Sequence, residues 1–262
     1  MKKILMVGTG HMGEAILKVW AKELDKLEYK LIILNRNIEK SKKLAKTYDC
    51  NYIESIEDIN KVNPNIIVLG FRPSDGHNFL SSLNLINQKD KLIISMLNAF
   101  EIEKISNYFS QDINIIRIMP NMNAALKKST TAYIKKGKNI NLINFGIWLI
   151  SLFGKVYELE EDNFPSFVSL TGSAPAFIYE FIKGFKEFAL KSNYDEKISN
   201  DFIKETIIAS TEQALNNGIP LDKLIGEIIV PGGPTEAGHN VLKEKKFKDI
   251  LVNCLQEAKK RG

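Results

Sequence analysis

Three glycines near the start of the chain have the spacing of a phosphate-binding turn. Gly8, Gly10 and Gly13 separate the apolar run 2–7 from a helical pattern. Gly8 permits a sharp turn, Gly10 lets the backbone approach a pyrophosphate, and Gly13 permits close packing of a helix on a strand. A helix that begins here presents unpaired N–H groups and the positive end of its dipole to phosphates. Glycine-rich turns can match this spacing by chance, but the second apolar run, 29–34, supplies the βαβ context of a dinucleotide site.

The residues after the second predicted strand indicate which dinucleotide binds. A site for NAD usually has Asp or Glu there to bind the ribose 2′-hydroxyl, whereas a 2′-phosphate is bound by arginine. This strand ends at Asn35 and Arg36, and Arg36 offers a planar set of donors to a phosphate. We therefore expect NADPH, with NADH as the alternative cofactor. In the simpler interpretation, Arg36 is a solvated loop charge.

A third apolar run, 64–70, is typical of a strand buried on both faces of a parallel sheet. It ends at Phe71, Arg72 and Pro73. Ligands of open α/β sheets lie beyond the carboxyl ends of the strands, so we expect these three residues to face the cofactor.

A candidate anion site lies near the C-terminus, where segment 231–238 begins Pro-Gly-Gly-Pro-Thr. Pro234 suits the first turn of a helix, and the N–H groups beyond it point outward, where they could hold a small carboxylate. Taken alone, the segment has a simpler interpretation as an ordinary loop followed by a helix.

The order of predicted elements places these loops on an α/β domain. Strands and helices alternate from Met1 to about Phe109, which indicates a doubly wound parallel sheet of the Rossmann type. A short helix over 55–61, capped by Ser55, is expected before the apolar run 64–70. The later elements expected are strands 114–118, 130–134 and 156–159 and helix 141–153. We predict that this domain covers residues 1–160.

The pattern beyond this point is helical only, and residues 161–262 are predicted to form an all-α dimerisation domain. The apolar face of its first long helix contains Phe177, Ile178, Phe181, Ile182, Phe185, Phe188 and Ala189. Further helices are expected over 202–216 and 221–228, followed by two between 235 and 260. Helices this rich in exposed apolar surface predict packing against a second subunit, in a homodimer or a higher homo-oligomer of dimers.

The overall composition is that of a soluble globular protein, with 262 residues of which 44% are hydrophobic and 26% charged. The formal charge of +5 comes mostly from dispersed lysines, so we expect no nucleic-acid partner. Cys50 and Cys254 lack CxxC spacing, and His11, His77 and His239 lack a ligand partner four residues on, so we expect a reducing compartment and no metal site. Because no apolar run has the length of a membrane span and the first strand begins at once, we expect a cytoplasmic protein without a membrane partner.

Together, these motifs resemble those of pyrroline-5-carboxylate reductase, the NAD(P)H-dependent enzyme of the last step of proline synthesis, over nearly the whole chain. The matching segments are the glycine triplet 8–13, Asn35-Arg36, Arg-Ile-Met-Pro-Asn at 117–121, Glu-Glu-Asp at 160–162, Gly-Ser-Ala-Pro-Ala at 172–176 and Pro-Gly-Gly-Pro-Thr at 231–235. The Met-Pro-Asn and Gly-Gly-x-Thr elements in this order are specific. The resemblance implies a Rossmann domain joined to a helical dimerisation domain, and hydride transfer to a small cyclic imine.

The resemblance also implies roles for individual residues. The implied cofactor-binding residues are Gly8, Thr9, Gly10, His11, Met12, Gly13, Asn35, Arg36, Phe71, Arg72, Pro73, Asn98 and Ala99. Glu161 corresponds to the family's substrate-side acid, and Thr235 to the catalytic threonine whose hydroxyl contacts the ring nitrogen. The N–H groups around Gly232, Gly233 and Thr235 would receive the substrate carboxylate. No strong acid or base is required, because a protonated C=N bond is already electrophilic.

Departures from the family pattern concern the substrate. The family usually has Asn three residues before a Ser or Thr that precedes its Pro-Gly-Gly, and this chain has Glu227 and Val230 there. Glu227 could repel a carboxylate, and Pro234 removes one N–H donor. Three functions stay open: reduction of 1-pyrroline-5-carboxylate to L-proline, reduction of a related cyclic imine with a different or absent carboxylate, and a weakly catalytic NADPH-binding protein with a regulatory role. The retained Thr235 and Glu161 favour an enzyme.

Overall fold

One sheet carries the first part of the chain. The structure is a computed structural model that describes residues 1–72, 76–83, 90–98, 100–109, 113–216 and 218–261, with only the backbone described for residue 78. Within these ranges, eight strands pair in the order β3-β2-β1-β4-β5-β6-β7-β8. In chain order, β1 to β8 are Lys2–Val7, Tyr29–Leu34, Asn51–Tyr52, Ile66–Leu69, Leu92–Ser95, Asn114–Met119, Ser129–Lys136 and Gly154–Glu158. The order 3-2-1-4-5-6 is that of the Rossmann fold, which confirms the predicted class.

One strand pair departs from the predicted parallel sheet. Strand β7 runs antiparallel to β6, whereas the other neighbouring strands of the sheet are parallel. The connection between them spans 120–128 and contains only the 3₁₀ turn Met122–Leu126. A parallel pair needs a crossover of about a dozen residues or more, so this short connection reverses the direction of the chain.

Helices cover both faces of the sheet, as a doubly wound arrangement requires. The helices α1 to α7 are His11–Glu23, Ile38–Tyr48, Asp58–Val62, Gly76–Leu83, Ile102–Ser106, Ile140–Ser151 and Phe164–Phe167. A 3₁₀ turn, Glu161–Asn163, precedes α7, and a π-helix, Val168–Ser173, follows it. The prediction that Ser55 caps a helix over 55–61 is wrong. The helix begins at Asp58, because the Ser55 hydroxyl donates to the Asp58 carboxylate at 3.0 Å and caps no helix N–H.

Each face of the sheet buries its own apolar cluster, because successive side chains of a strand point to opposite faces. Ile4 packs on one face with side chains of α1, α2 and α6. Leu5 packs on the other with side chains of α3, α4 and α5. On the first face, Nε1 of the fully buried Trp20 donates to the carbonyl of Leu149 at 2.9 Å, which joins α1 to α6.

Three glycines bring the backbones of β1, α1 and β4 into contact at the carboxyl edge of the sheet. Gly8 has φ +83°, a conformation that glycine adopts without strain. A Cβ atom at Gly13 would lie 2.6 Å from the carbonyl oxygen of Gly8, and one at Gly70 would lie 2.7 Å from the same oxygen. Neither position accepts a side chain unless the backbone moves.

Residues 173–261 form a second compact unit, and residues 1–172 belong to the first. The boundary at residue 160 therefore stays a prediction. The regular elements among the described residues of the second unit are helices, as predicted. Helices α8 to α12 are Ala174–Lys191, Glu196–Asn216, Leu221–Ile228, Pro234–Glu244 and Phe247–Lys259. None of the described helices of the chain is long and apolar enough to cross a membrane.

The helical unit buries little apolar surface within itself. Over its described residues, Ala189 and Ile203 are the only buried apolar side chains. In contrast, Phe181, Phe185 and Phe188 are exposed on α8. Exposed apolar faces of this kind are typical of subunit interfaces.

Replacing Gly13 by alanine should destabilise the first unit, because the new Cβ atom would lie 2.6 Å from the Gly8 carbonyl oxygen. We expect the free energy of unfolding to fall by roughly 1–3 kcal/mol, the usual range for overpacking, in urea denaturation. Gly10→Ala is the matched control, because nothing lies within 4 Å of its Cβ position. Its stability should stay within about 0.5 kcal/mol of the parent. Equal stability of the two variants would contradict the close contact.

Candidate active site

A cleft of about 1000 Å³ opens at the carboxyl edge of the sheet, within the first unit. Its walls come from the ends of β1, β2 and β4 and from the start of α1. Every predicted cofactor residue that the structure describes lines this cleft. These residues are Gly8, Thr9, Gly10, His11, Met12, Gly13, Asn35, Arg36, Phe71, Arg72 and Asn98. Pro73 and Ala99, which are also predicted to bind the cofactor, lie outside the described residues.

Asn35 joins the glycine turn to the turn after β2. Its Oδ1 accepts hydrogen bonds from the backbone N–H and the hydroxyl of Thr9, both at 2.8 Å. Its Nδ2 donates to the hydroxyl of Ser41 at 3.0 Å. Thr9 and Ser41 are buried, so these bonds are shielded from water. Asn35 therefore holds the two turns together and determines where the following Arg36 leaves the strand.

The cleft is lined by more positive than negative side chains. Among the described lining residues, Arg36, Lys40 and Arg72 are cationic and Glu54 is acidic. The ammonium group of Lys40 also donates to the carbonyl of Thr9, so it braces the glycine turn. This balance of charge favours an anionic ligand.

The start of α1 fits the diphosphate of a dinucleotide. The helix begins at His11, beside the cleft, and its N-cap Gly10 has no side chain to cap the first-turn N–H groups. A Cβ atom at Gly10 would meet nothing within 4 Å, so the backbone borders open space there. Because α1 is 13 residues long, its dipole adds positive potential at this end.

Several lining residues escape prediction from the sequence. They are Lys40, Glu54, Ser55, Ile56, Gly70, Phe79, Ser82, Met96, Met119 and Pro120. Met96 and Met119 lie at the carboxyl ends of β5 and β6, where the strand-end rule points to them. The sequence gives a weaker indication for Lys40, which is a cation one helical turn after Arg36. Side chains from α3 and α4 have no local signal, because their positions depend on how those helices pack.

Glu161 is held by a buried arginine. Nη1 of Arg117, on β6, donates to Oε1 of Glu161 at 2.5 Å, and the backbone N–H of Ile102 donates to Oε2 at 3.3 Å. The Arg117 side chain is 4% exposed, and its guanidinium carbon lies 4.3 Å from the ring centre of Phe164. Burial lowers the pKa of Arg117, while the charges of Glu161 and Glu101 oppose that shift. Glu161 is not among the described residues that line the cleft.

Asn121 connects the cleft to the π-helix. Its Nδ2 donates to the carbonyl of Thr171 at 3.0 Å, and its Oδ1 accepts from the backbone N–H of Asn123. Met119 and Pro120, just before it, line the cleft. Short π-helical turns occur frequently at functional sites, so the Met-Pro-Asn segment links two functional candidates.

The Pro-Gly-Gly-Pro-Thr loop starts α11 in the second unit. The N–H of Gly232 donates to the Glu236 carboxylate at 2.8 Å, and the N–H of Gly233 donates to the carbonyl of Val230 at 2.9 Å. Two of the three predicted carboxylate donors, the N–H groups of Gly232 and Gly233, therefore already have acceptors next to the loop. Helix geometry leaves the N–H groups of Thr235 and Glu236 without an intrahelical partner, and Thr235 is exposed.

Comparisons with known proteins agree with both units. A model of the pyrroline-5-carboxylate reductase dimerisation domain matches residues 161–262, and a model described as NADP oxidoreductase coenzyme F420-dependent matches residues 3–99. Pyrroline-5-carboxylate reductase 2 of Bacillus subtilis (strain 168) is 32% identical over 266 residues, covering 100% of this chain and 94% of that protein. The Aquifex aeolicus (strain VF5) pyrroline-5-carboxylate reductase is 26% identical, with 98% of this chain and 97% of that protein covered.

A solved structure has the same fold over nearly the whole chain. The 1-pyrroline-5-carboxylate reductase of Streptococcus pyogenes superposes with a TM-score of 0.87 at 27% identity, covering 99% of this chain and 97% of that one. The fold, the cleft and the likeness to these named reductases together identify an NAD(P)H-dependent oxidoreductase. Given the likeness to the B. subtilis enzyme along the whole chain, the protein belongs to the pyrroline-5-carboxylate reductase family.

Proposed function

We propose that the protein reduces 1-pyrroline-5-carboxylate to L-proline, with NADPH as the hydride donor. The observation that carries this proposal is that one chain contains both expected parts of such an enzyme. These are a dinucleotide cleft with Arg36 at the end of β2, and a threonine, Thr235, at the open start of a helix. Membership of the family supports the choice of reaction.

NADPH is preferred over NADH in this proposal because of the charges at the end of β2. Arg36 lies two residues after the end of this strand and lines the cleft, and Lys40 follows four residues later. An arginine fork suits a 2′-phosphate, whereas a carboxylate at this point would suit a 2′-hydroxyl. Glu54, the acidic lining residue, comes after β3 and not after β2.

Other residues would hold the rest of the cofactor. The N–H groups at the start of α1, beside Gly8 and Gly10, would bind the diphosphate. Phe71, Arg72 and Asn98 would border the nicotinamide end of the cleft. When bound, the reduced nicotinamide supplies a hydride.

The chain's own task with the substrate is to bind and orient it. Protonation of the ring nitrogen makes the neighbouring carbon electrophilic, so side chains that orient this proton assist hydride transfer without acting as a strong acid or base. The Thr235 hydroxyl would take this role, and the outward N–H groups of Thr235 and Glu236 would receive the carboxylate. The bond from the Gly232 N–H holds the Glu236 carboxylate back on its own loop, which keeps it from competing for those donors.

Glu227 and Val230 favour a second candidate, reduction of a cyclic imine whose carboxylate is different or absent. Glu227 lies on α10, whose end leads into the Pro-Gly-Gly-Pro-Thr loop. Val230 is exposed directly before this loop. Neither side chain can donate a hydrogen bond to a substrate carboxylate, whereas the Asn and the Ser or Thr that the family usually has there can. A carboxylate would therefore have fewer contacts in this chain.

Loss of NADPH absorbance with a panel of imines tests the proposed reaction. The panel contains 1-pyrroline-5-carboxylate, 1-pyrroline without a carboxylate, and the six-membered ring homologue with one. The highest kcat/KM is expected for 1-pyrroline-5-carboxylate. Preference for unsubstituted 1-pyrroline would favour the second candidate, and NADPH binding without turnover of any imine would favour a regulatory protein.

Arg36→Asp should weaken binding of NADPH by roughly tenfold or more, because it removes a charge-assisted contact to the 2′-phosphate. Binding of NADH should change little. Lys43→Glu on α2 is the control, because Lys43 is exposed and is not part of the described lining. Dissociation constants from the fluorescence of the reduced cofactors measure these effects. Equal losses for both cofactors in Arg36→Asp would show that Arg36 does not recognise the phosphate.

Thr235→Ala should lower kcat and kcat/KM together, by roughly tenfold to a hundredfold, if its hydroxyl orients the proton during hydride transfer. Thr235→Ser keeps the hydroxyl and should retain most of the activity, whereas Thr235→Val keeps the shape and should not. A purely structural role at the helix start would reduce stability by about 1 kcal/mol and leave turnover near normal. Steady-state kinetics beside thermal melts separate the two outcomes.

The protein should be a homodimer, or a higher oligomer of dimers, because α8 exposes an apolar face. Phe188 is 72% exposed on this face, and Phe188→Glu should shift the assembly toward monomer at micromolar concentration. Leu27→Glu is the control, since Leu27 is 87% exposed but lies in the first unit. Analytical ultracentrifugation measures the assembly. A parent protein that is monomeric, folded and active at that concentration would contradict the prediction.

A further inference from the structure

Arg117 is a buried cation in a strand that is otherwise apolar or uncharged. Strand β6, Asn114–Met119, is buried along its whole length between β5 and β7. A buried ion pair contributes little stability, because desolvation offsets its attraction, and apolar residues of similar size often serve equally well. Nε of Arg117 is buried without a hydrogen-bond partner among the described residues, so even this arrangement leaves one donor unsatisfied. Stability alone therefore does not account for arginine at this position.

The geometry around Arg117 determines the position of Glu161. Oε1 of Glu161 accepts from Arg117 at 2.5 Å, while Oε2 accepts from the N–H of Ile102 at 3.3 Å. Arg117 is itself held against the ring of Phe164, three residues after Glu161. Each oxygen of this carboxylate accepts from a different donor, one on the buried Arg117 and one on the backbone of Ile102, so its orientation is defined.

Two segments of the chain connect the contact between Arg117 and Glu161 to the cofactor cleft. Ile102 is the first residue of α5, and the loop before α5 contains Asn98, which lines the cleft. Arg117 lies two residues before Met119, which also lines the cleft. Glu161 thus joins the ends of two cofactor-facing segments, although it does not itself line the described part of the cleft.

The Glu161 carboxylate retains acceptor capacity beyond these bonds. A carboxylate has about four acceptor positions on its two oxygens, and two are used here. The Glu161 side chain is 29% exposed, so a further donor can reach it. The positive charge of Arg117 also neutralises the pair, so an anionic substrate would not be repelled as it would be by an isolated carboxylate.

We propose that Arg117 is a positioning residue, which holds Glu161 in place and balances its charge so that Glu161 can accept a hydrogen bond from the N–H of a protonated, carboxylated cyclic imine. This inference rests on the proposed function, because it assumes that such an imine is the substrate. Arg117 acts through Glu161 and does not touch the substrate. The effects of the two residues on catalysis should therefore not be additive.

A double-mutant cycle on kcat/KM tests this dependence. Arg117→Met and Glu161→Gln should each lower kcat/KM for 1-pyrroline-5-carboxylate by roughly tenfold to a hundredfold. The kcat/KM of the double variant should be no lower than that of the less active single variant. Arg117→Lys, which keeps the charge without the planar fork, should recover part of the loss. NADPH binding should be unchanged in all four.

Thermal melts separate positioning from a structural role. The double variant replaces a partly buried ion pair by neutral groups, so its melting temperature should equal or exceed that of the parent while its activity stays low. The double variant of Lys26→Met and Asp49→Asn is the matched control. It removes an exposed ion pair whose N–O distance, 2.5 Å, equals that between Arg117 and Glu161. This control should leave kcat/KM unchanged.

Four results would overturn the inference, and the last of them would overturn the proposed function as well. An Arg117→Met variant as active as the parent, or losses that add in the double variant, would show that Arg117 does not act through Glu161. Losses of activity that follow the melting temperature would assign Arg117 to structure. A parent protein that does not reduce 1-pyrroline-5-carboxylate would instead overturn the proposed function, and this inference with it.

Discussion

The backbone contact between Gly8, Gly13 and Gly70 is the packing constraint on which the cleft depends. With Gly8 at φ +83°, its carbonyl oxygen faces two positions that would carry a Cβ atom in any other residue. The absence of side chains there lets α1 start directly at the carboxyl edge of β1 and β4. The cleft exists because of this close approach, since its walls are the turn and the strand ends that the contact brings together. An anion can then reach the N–H groups of α1 directly.

Buried polar contacts extend this geometry to residues far apart in the chain. Asn35 fastens the glycine turn to the turn that carries Arg36, with both Thr9 bonds at 2.8 Å. Arg117 and Glu161 form the second such contact, and Asn121 with the carbonyl of Thr171 forms the third. Each of these contacts is near the cleft or links a segment that lines it. These three contacts therefore do more than maintain the fold, because they connect segments that line the cleft to other parts of the first unit.

Local patterns predicted much of this structure, and contacts between distant residues account for the rest. The bounds of β2 and of α10 agree with the sequence prediction, because apolar periodicity and Gly or Pro at the ends are local signals. The direction of β7 depends on the length of the connection that precedes it, which sequence periodicity does not encode. The pairing of Arg117 with Glu161 spans 44 positions and has only one local sign, a cation within an apolar strand. The bond from Gly232 to Glu236 is short in sequence but depends on the loop conformation. The roles of Thr235 and Glu161 stay predictions.

The proposed reaction is a hydride transfer from the cofactor to the imine carbon, and this step can be followed with an isotope. We would incubate the protein with 1-pyrroline-5-carboxylate and NADPH carrying deuterium at both C4 positions, and analyse the proline by mass spectrometry. The imine carbon becomes the δ carbon of proline, the ring carbon bonded to nitrogen on the side away from the carboxylate. We expect proline with a single deuterium, located at that carbon. Proline without deuterium, or cofactor bound with no proline formed, would contradict it.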